Sequence, residues 1–152
     1  MSGDRVPVTL ADAVEDRTDS TVDQLLELLA IDTANPPGET ATIVDTVESR
    51  FESFGIETER VLTDPAKPNL VARIPGASDS TLLYNGHFDT VPYDASAWEH
   101  DPLGERSEDR IYGRGATDMK GALAAMLSVA EAYAETGTVP PVTLQFAFVS
   151  DE

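Results

Sequence analysis

Residues 142–149 read VTLQFAFV, and this stretch decides the fold. Its apolar residues fall on both alternating sets of positions, with Leu144, Phe146 and Phe148 on one set and Val149 on the other. Because side chains along a strand alternate between the two faces of a sheet, this pattern predicts a central strand that is covered on both sides.

Shorter strands precede this one along the chain. Runs of β-branched and apolar residues bounded by proline, glycine, serine and aspartate predict three of them, at residues 56–62, 69–74 and 81–85. Residues 91–110 are predicted to form a long irregular loop, and loops of this length in compact domains tend to be functional or disordered.

Helices alternate with these strands. The capping-box pattern TVDQ at residues 21–24 opens a helix whose apolar residues recur at helical spacing as far as Ile31. The NPPG turn at residues 35–38 ends it, since proline cannot donate a backbone hydrogen bond. Further helices are predicted over residues 40–54 and 121–133. Alternating helices and strands indicate an α/β layer architecture.

Composition bounds the class of protein. A chain of 152 residues with 41% hydrophobic content suits one folded domain. We expect a polar acidic lead-in at residues 1–20 and a single domain over residues 21–152. The net charge of −18 argues against nucleic acid as a partner. No apolar run approaches the roughly 20 residues of a membrane span, and the lead-in lacks the apolar core of a signal peptide, so a cytoplasmic location is expected.

The basic residues are skewed towards arginine, and cysteine is absent. Eight arginines stand against two lysines, Lys67 and Lys120. Together with the acidic charge this indicates a halophilic protein in a salt-rich cytosol. An acidic protein of ordinary habitat, or a portion of a more basic chain, is the alternative. The lack of cysteine excludes disulfides and thiolate metal ligands.

A histidine and an aspartate follow the strand predicted at residues 81–85. His87 and Asp89 lie two residues apart and so point to the same side of an extended chain. A metal-bound imidazole usually has its second ring nitrogen held by a carboxylate or carbonyl oxygen. The pair fits that arrangement, although the tripeptide alone fits a solvated turn better. His100, in a charged loop, is predicted to lie at the surface.

A glycine-rich turn at residues 113–121, GRGATDMKG, leads into the next predicted helix. Asp118 lies where helix N-terminal amides favour an anion. A simple helix cap at Thr117 or Asp118 is the alternative. The glycine spacings of the phosphate-binding and dinucleotide-binding loops are both absent.

A third acidic motif, Ser150-Asp151-Glu152, follows the central strand. Carboxylates at the end of a buried strand are costly unless they are solvated, paired or bound to metal. A plain acidic turn is the alternative in so acidic a chain. The order and spacing of the three motifs together predict part of a metal-dependent hydrolase site. A calcium-binding module is disfavoured, because no loop clusters its oxygen ligands.

These motifs resemble the zinc-dependent amidohydrolase and exopeptidase family that contains acetylornithine deacetylase, succinyl-diaminopimelate desuccinylase, aminoacylase and glutamate carboxypeptidase. The resemblance covers the NPPG turn at 35–38, the His-x-Asp-x-Val-Pro block at 87–92, Trp98 with Asp101-Pro102, and the block at 112–121. It implies the N-terminal part of a three-layer zinc-exopeptidase-like catalytic domain, with a mixed central sheet and helices on both faces.

The resemblance also implies a role for each site residue. His87 would be a ligand of one metal ion and Asp118 the carboxylate that bridges two. Asp89 would orient the His87 ring, Glu152 would be the general base, and a cis peptide bond would follow Asp118. Two Zn²⁺ ions are implied, with Co²⁺ or Mn²⁺ as possible substitutes. The ions would activate a shared water, whose proton Glu152 would pass to the leaving amine.

The substrate implied is a small N-acyl amino acid, with deacetylase or desuccinylase activity first and dipeptidase or carboxypeptidase activity second. Of the family's metal-binding side chains, only His87 and Asp118 occur here, and the next would be residue 153. The inserted domain that makes the family's homodimer is also absent. The chain is therefore expected to be incomplete and inactive alone. A non-catalytic remnant or interaction fragment is the alternative, and the oligomeric state of this chain is left open.

Overall fold

Two helices pack on the sheet, and two pack on one of those helices. The computed structural model describes residues 9–152. Its helices are α1 (Leu10–Glu15), α2 (Thr18–Leu29), α3 (Ala41–Ser53) and α4 (Gly121–Thr136). Helices α3 and α4 contact strands, whereas α1 and α2 contact α4. Of the lead-in predicted at residues 1–20, residues 1–8 lie outside the described part. The remainder is largely helical, because Thr9 and Asp12 form a capping box that starts α1.

The capping box predicted at residues 21–24 is wrong. α2 begins three residues earlier, and its N-cap makes no side-chain hydrogen bond. The Thr21 hydroxyl instead lies 2.8 Å from the Ser128 hydroxyl of α4. The Gln24 amide donates to the Glu131 carboxylate, also on α4. Contacts between the two helices thus use the side chains that the local pattern assigns to a cap.

The strands form one mixed sheet and one small hairpin. They are β1 (Glu57–Val61), β2 (Asn69–Ile74), β3 (Thr81–His87), β4 (Glu105–Ser107), β5 (Arg110–Tyr112) and β6 (Thr143–Val149). The sheet has the order β1-β2-β6-β3, in which β1–β2 and β2–β6 are antiparallel and β3–β6 is parallel. The predicted α/β class with a mixed sheet and a central β6 is therefore confirmed.

The loop predicted at residues 91–110 is more ordered than its sequence indicates. It contains a short 3₁₀ turn at Ala95–Ala97 and, at its end, the antiparallel pair β4–β5. The Arg114 guanidinium lies 5.3 Å from the Trp98 ring centroid, and the Arg114 N–H donates to the Pro102 carbonyl at 2.7 Å. These contacts tie the loop to the glycine-rich turn that follows it.

The hydrophobic core lies on one face of the sheet. Leu144, Phe146 and Phe148 of β6 are buried there, in one cluster with apolar residues of α2, α3 and α4. Burying each large apolar side chain contributes roughly 1.5–3 kcal/mol. On the opposite face, Ala147 and Val149 are half-buried. Helices on that second face stay a prediction.

Among the helices of residues 9–152, none combines the length and the apolar character needed to cross a membrane.

Candidate metal centre

Two parallel strands end side by side at one edge of the sheet. His87, the last residue of β3, is paired with Val149, the last residue of β6. The Phe88 N–H then donates to the Val149 carbonyl at 2.8 Å. Parallel strands bring their carboxyl ends to a common edge, where ligand sites form in α/β sheets. The residues that follow each strand, Asp89 and Glu152, therefore emerge close together.

The glycine-rich turn before α4 brings a third acidic group to this edge. Gly115 has φ +87°, and an added Cβ there would lie 2.6 Å from Thr90 Cγ2. Only glycine fits so close to the chain that follows β3. Asp118 lies in the turn, and the peptide bond to Met119 is cis, as the family resemblance implies.

The packing of α4 against β3 fixes this turn beside the strand end. Gly86 of β3 leaves the space that Met119 and Leu123 occupy, since an added Cβ would approach their side chains to 2.9 and 2.7 Å. The Met119 sulfur also accepts from the His87 N–H at 3.4 Å. A larger residue at Gly86 would therefore require the Met119 and Leu123 side chains to move.

Three candidate ligands meet where these elements converge. The His87 Nε2 atom lies 3.0 Å from Asp118 Oδ1 and 3.5 Å from Glu152 Oε2. One ligand atom from each residue lies within 4.8 Å of the others. An imidazole nitrogen with carboxylate oxygens is a donor set that suits Zn²⁺, so these side chains fit a divalent ion. Glu152, predicted as a base, is thus also within reach of a ligand position.

The other ring nitrogen of His87 faces Asp89. The His87 Nδ1 atom lies 2.9 Å from the Asp89 carbonyl oxygen and 3.2 Å from its carboxylate Oδ1. Asp89 is buried, at 3% exposed. Oxygen acceptors on this side favour the tautomer with hydrogen on Nδ1, which leaves the Nε2 lone pair towards Asp118 and Glu152.

The electrostatics of the cluster favour a cation. Burial alone would lower the pKa of His87. Hydrogen bonds to the Asp89 carbonyl and to Asp118, with the nearby Glu152 and Asp89 carboxylates, outweigh it and raise the pKa above its ordinary value. Negative groups on several sides of one imidazole stabilise positive charge, whether a proton or a metal ion supplies it.

The sequence patterns did not single out three further polar residues. The Asn35 amide donates to Asp89 and to Asp151, and Lys67 Nζ donates to Asp151 at 3.0 Å. Lys120 is buried, and its ammonium donates to the Ile31 carbonyl at 2.7 Å. The NPPG and GRGATDMKG blocks contain Asn35 and Lys120, but pattern alone indicated only turns there.

Lys120 and His100 lie in different surroundings. Burial lowers the pKa of Lys120 to about 8. His100 lies outside the cluster of His87, Asp118 and Glu152. Its ring stacks on Tyr112 with 3.6 Å between centroids, and its Nδ1 lies 2.9 Å from Glu105 Oε1. Its side chain is 29% exposed, so it is half-buried rather than free at the surface.

Comparison with known proteins finds a matching family profile and similar folds. The sequence profile of peptidase family M20/M25/M40 matches residues 83–152. A succinyl-diaminopimelate desuccinylase of Xanthobacter autotrophicus is 37% identical over 83% of this chain. An acetylornithine deacetylase of Vibrio campbellii is 40% identical over 53% of it. The chain covers 33% and 21% of these two relatives, so it spans at most about a third of their length.

Two solved structures of peptidases have a similar fold. An M20 family metallo-carboxypeptidase of Sulfolobus solfataricus superposes with a TM-score of 0.76 and 28% identity, over 89% of this chain and 31% of its own. Human carnosine dipeptidase 1 superposes with a TM-score of 0.79 over 93% of this chain and 34% of its own. Its 24% identity supports the fold alone.

Proposed function

Because residues 83–152 place this chain in peptidase family M20/M25/M40, we propose that it supplies part of the catalytic domain of a metal-dependent amide hydrolase. The observation that carries this proposal is the convergence of His87, Asp118 and Glu152 within 4.8 Å at the carboxyl ends of two parallel strands. The desuccinylase and deacetylase relatives favour an N-acyl amino acid as the substrate. We also propose a cytoplasmic location, as expected from the sequence.

The ion we propose is Zn²⁺, with Co²⁺ or Mn²⁺ as substitutes. His87 would hold one ion, and Asp118, whose side chain is 77% exposed, could offer its two oxygens to a pair of ions. Divalent ions in such a position polarise an amide carbonyl and lower the pKa of water. Asp89 would keep the His87 ring in the tautomer that such binding requires.

Glu152 would be the general base. Its carboxylate is half-exposed and lies 3.5 Å from His87 Nε2, so it can reach the space beside the imidazole. A carboxylate there would accept a proton from the attacking water and pass it to the leaving amine. Asp89, buried and bound to Asn35, would serve only to orient His87.

Within residues 9–152, this cluster provides fewer ligands than two ions need. Zinc in catalytic sites takes about three protein ligands per ion, whereas this cluster has three in all, one of them the proposed base. We therefore propose that turnover requires further ligands that these residues do not supply. From the family resemblance alone, we also propose that the complete enzyme is a homodimer. A carboxypeptidase or dipeptidase activity is the second candidate, favoured by the 28% identity to the Sulfolobus carboxypeptidase.

Zinc titration of the purified chain tests this proposal, with the two histidines as a matched pair. His87→Ala should weaken Zn²⁺ binding at least about 100-fold in calorimetry, because it removes a ligand. His100→Ala should leave the affinity unchanged, because His100 lies outside the cluster. Equal affinities of the two variants would contradict the site.

Substrate class needs a separate assay. The Zn²⁺-loaded chain is assayed with four substrates: an N-acetyl amino acid, an N-succinyl amino acid, a dipeptide, and a peptide with a free carboxyl terminus. The same assay is repeated with a longer polypeptide that contains this chain and supplies the further ligands. We expect turnover of the N-acyl amino acids only with those ligands. Full turnover by the 152 residues alone would contradict the ligand count, and preferred cleavage of a peptide would favour the second candidate.

A further inference from the structure

The side chain of Asn35 contacts two acidic residues of the proposed site, Asp89 and Asp151. Its Nδ2 atom donates to Asp89 Oδ2 at 3.1 Å and to Asp151 Oδ1 at 2.9 Å. Asp89 lies behind the His87 ring, and Asp151 directly precedes Glu152. The Asn35 amide therefore uses both of its hydrogens. It joins Asp89, which lies beside the proposed ligand His87, to the segment that contains the proposed base Glu152.

The NPPG turn holds this amide in place. The Asn35 N–H donates to the Thr90 carbonyl at 2.8 Å, and the Gly38 N–H donates to the Ala34 carbonyl at 2.9 Å. Gly38 has φ +68°, and an added Cβ there would lie 2.7 Å from Asn35 Cγ. The turn thus closes directly over the side chain, and a residue with a side chain at position 38 would displace the amide.

The two carboxylates depend on Asn35 to different degrees. Asp151 has a second donor, because Lys67 Nζ lies 3.0 Å from its Oδ1. Asp89 is buried, and within residues 9–152 its Oδ1 has no hydrogen-bond partner, although it lies 3.2 Å from His87 Nδ1. A buried carboxylate needs its donors, since an unsatisfied buried charge is costly. Losing the Asn35 amide should therefore disturb Asp89 more than Asp151.

We propose that Asn35 is a positioning residue of the hydrolase site. Its amide holds the Asp89 carboxylate beside the His87 ring and ties it to the segment of Asp151 and Glu152, so that ligand and base keep a fixed relation. The inference rests on the proposed function, because it assigns Asn35 to the same site. Asn35 acts through Asp89 and Asp151 and is not a catalytic residue.

A pair of isosteric substitutions tests the proposal. Asn35→Asp keeps the shape of the side chain, removes the donor and adds a negative charge. Asn69→Asp adds the same charge nearby, but Asn69 serves as an acceptor, because its Oδ1 receives the Ser150 N–H at 2.9 Å. A carboxylate can keep that bond. Zn²⁺ affinity should fall about tenfold in Asn35→Asp, the lower end of the usual ~10–100-fold cost of losing a ligand's hydrogen-bond partner, because Asn35 acts through Asp89. In Asn69→Asp it should stay within about twofold.

Thermal unfolding of the metal-free proteins separates positioning from folding. A purely structural role predicts a lower Tm for Asn35→Asp with an unchanged Zn²⁺ affinity, and this result would overturn the proposal. So would equal losses of affinity in the two variants. If the unmodified chain and both variants bind no Zn²⁺, the proposed function fails, and the following measurement still shows whether Asn35 bridges the two aspartates.

Nuclear magnetic resonance of the metal-free unmodified chain tests the bridge without metal or activity. The Asn35 side-chain NH₂ protons should exchange slowly and show cross-peaks to the β protons of both Asp89 and Asp151. In Asn35→Asp, the carboxyl ¹³C resonances of both aspartates should shift, that of Asp89 more. Contact with only one aspartate, or none, would overturn the proposal.

Discussion

Lys120 is a buried cation whose charge costs stability. It is 1% exposed, and burial lowers its pKa from 10.5 to about 8. Below pH 8 the lysine is protonated in both the folded and the unfolded chain, so the full penalty is present. Between pH 8 and 10.5 the unfolded chain keeps a proton that the folded chain has lost, and stability rises with pH.

Replacing Lys120 by an uncharged residue should therefore remove this pH dependence of the free energy of unfolding. We expect the free energy of unfolding of the metal-free chain to rise by about 3 kcal/mol between pH 8 and 10.5, at about 1.4 kcal/mol per pKa unit. Lys120→Met should lack this rise, although it also loses the hydrogen bond to the Ile31 carbonyl. Urea unfolding in the presence of a chelator measures both proteins. Parallel pH profiles would show that Lys120 does not titrate in this range.

The raised pKa of His87 predicts opposite pH trends for the stability of the fold and for Zn²⁺ affinity. Its pKa is raised in the folded chain, so its contribution to stability is present below the unfolded value of about 6.5 and is lost as pH rises through the folded pKa. Zn²⁺ needs the neutral imidazole. Its affinity should therefore rise about tenfold per pH unit below the folded pKa and level off above it. Calorimetry at a series of pH values measures this, and an affinity that falls with pH would exclude His87 as a ligand.

At the scale of elements, one buried carboxylate joins three helices. Glu131 of α4 has a fully buried side chain, which accepts from Arg17 Nη1 at 2.5 Å, from Arg50 Nε of α3 at 2.6 Å and from Gln24 of α2. Removing one partner of a buried ion pair strands the remaining charges. Glu131→Gln should therefore destabilise the chain by about 3–5 kcal/mol in urea unfolding.

Glu135 provides the matched control. It also pairs with Arg17, at 2.9 Å, but its side chain is 59% exposed. Water screens such pairs, so Glu135→Gln should cost less than about 1 kcal/mol. Similar losses in the two variants would mean that the exposed ion pair contributes as much as the buried one.

The sequence predicts elements well where local pattern and packing agree. The strand at residues 69–74 has the predicted bounds, because its alternation reflects burial on one face. The capping box at residues 21–24 failed because Thr21 and Gln24 bond to α4, a contact that no local pattern contains. The β4–β5 hairpin was missed because each strand has only three residues, too few for a periodic signal.

The candidate site depends on topology, which the sequence specifies less directly. The motifs at His87 and Glu152 could be located beside strands from the sequence alone. Their proximity follows from the insertion of β6 between β2 and β3, which are consecutive in the sequence but do not pair in the sheet. The bridging amide of Asn35 depends on that same order, since it reaches the ends of β3 and β6 together. Its role therefore could not be read from the NPPG pattern.

At the scale of the whole molecule, the net charge of −18 should make stability depend on salt. Repulsion among like charges destabilises the compact state. Raising the ionic strength from about 0.1 M to 1 M shortens the screening length from about 10 Å to about 3 Å. We therefore expect the Tm of the metal-free chain to rise steadily with KCl. Glu52→Lys with Glu59→Lys changes two exposed side chains and makes the net charge less negative, −14 instead of −18. This double variant should start from a higher Tm at low salt and gain less on adding KCl. Calorimetric scans measure both effects. Equal gains in the two proteins would mean that the salt acts through apolar burial or a bound ion instead, and the halophilic interpretation of the acidic composition would lose its support.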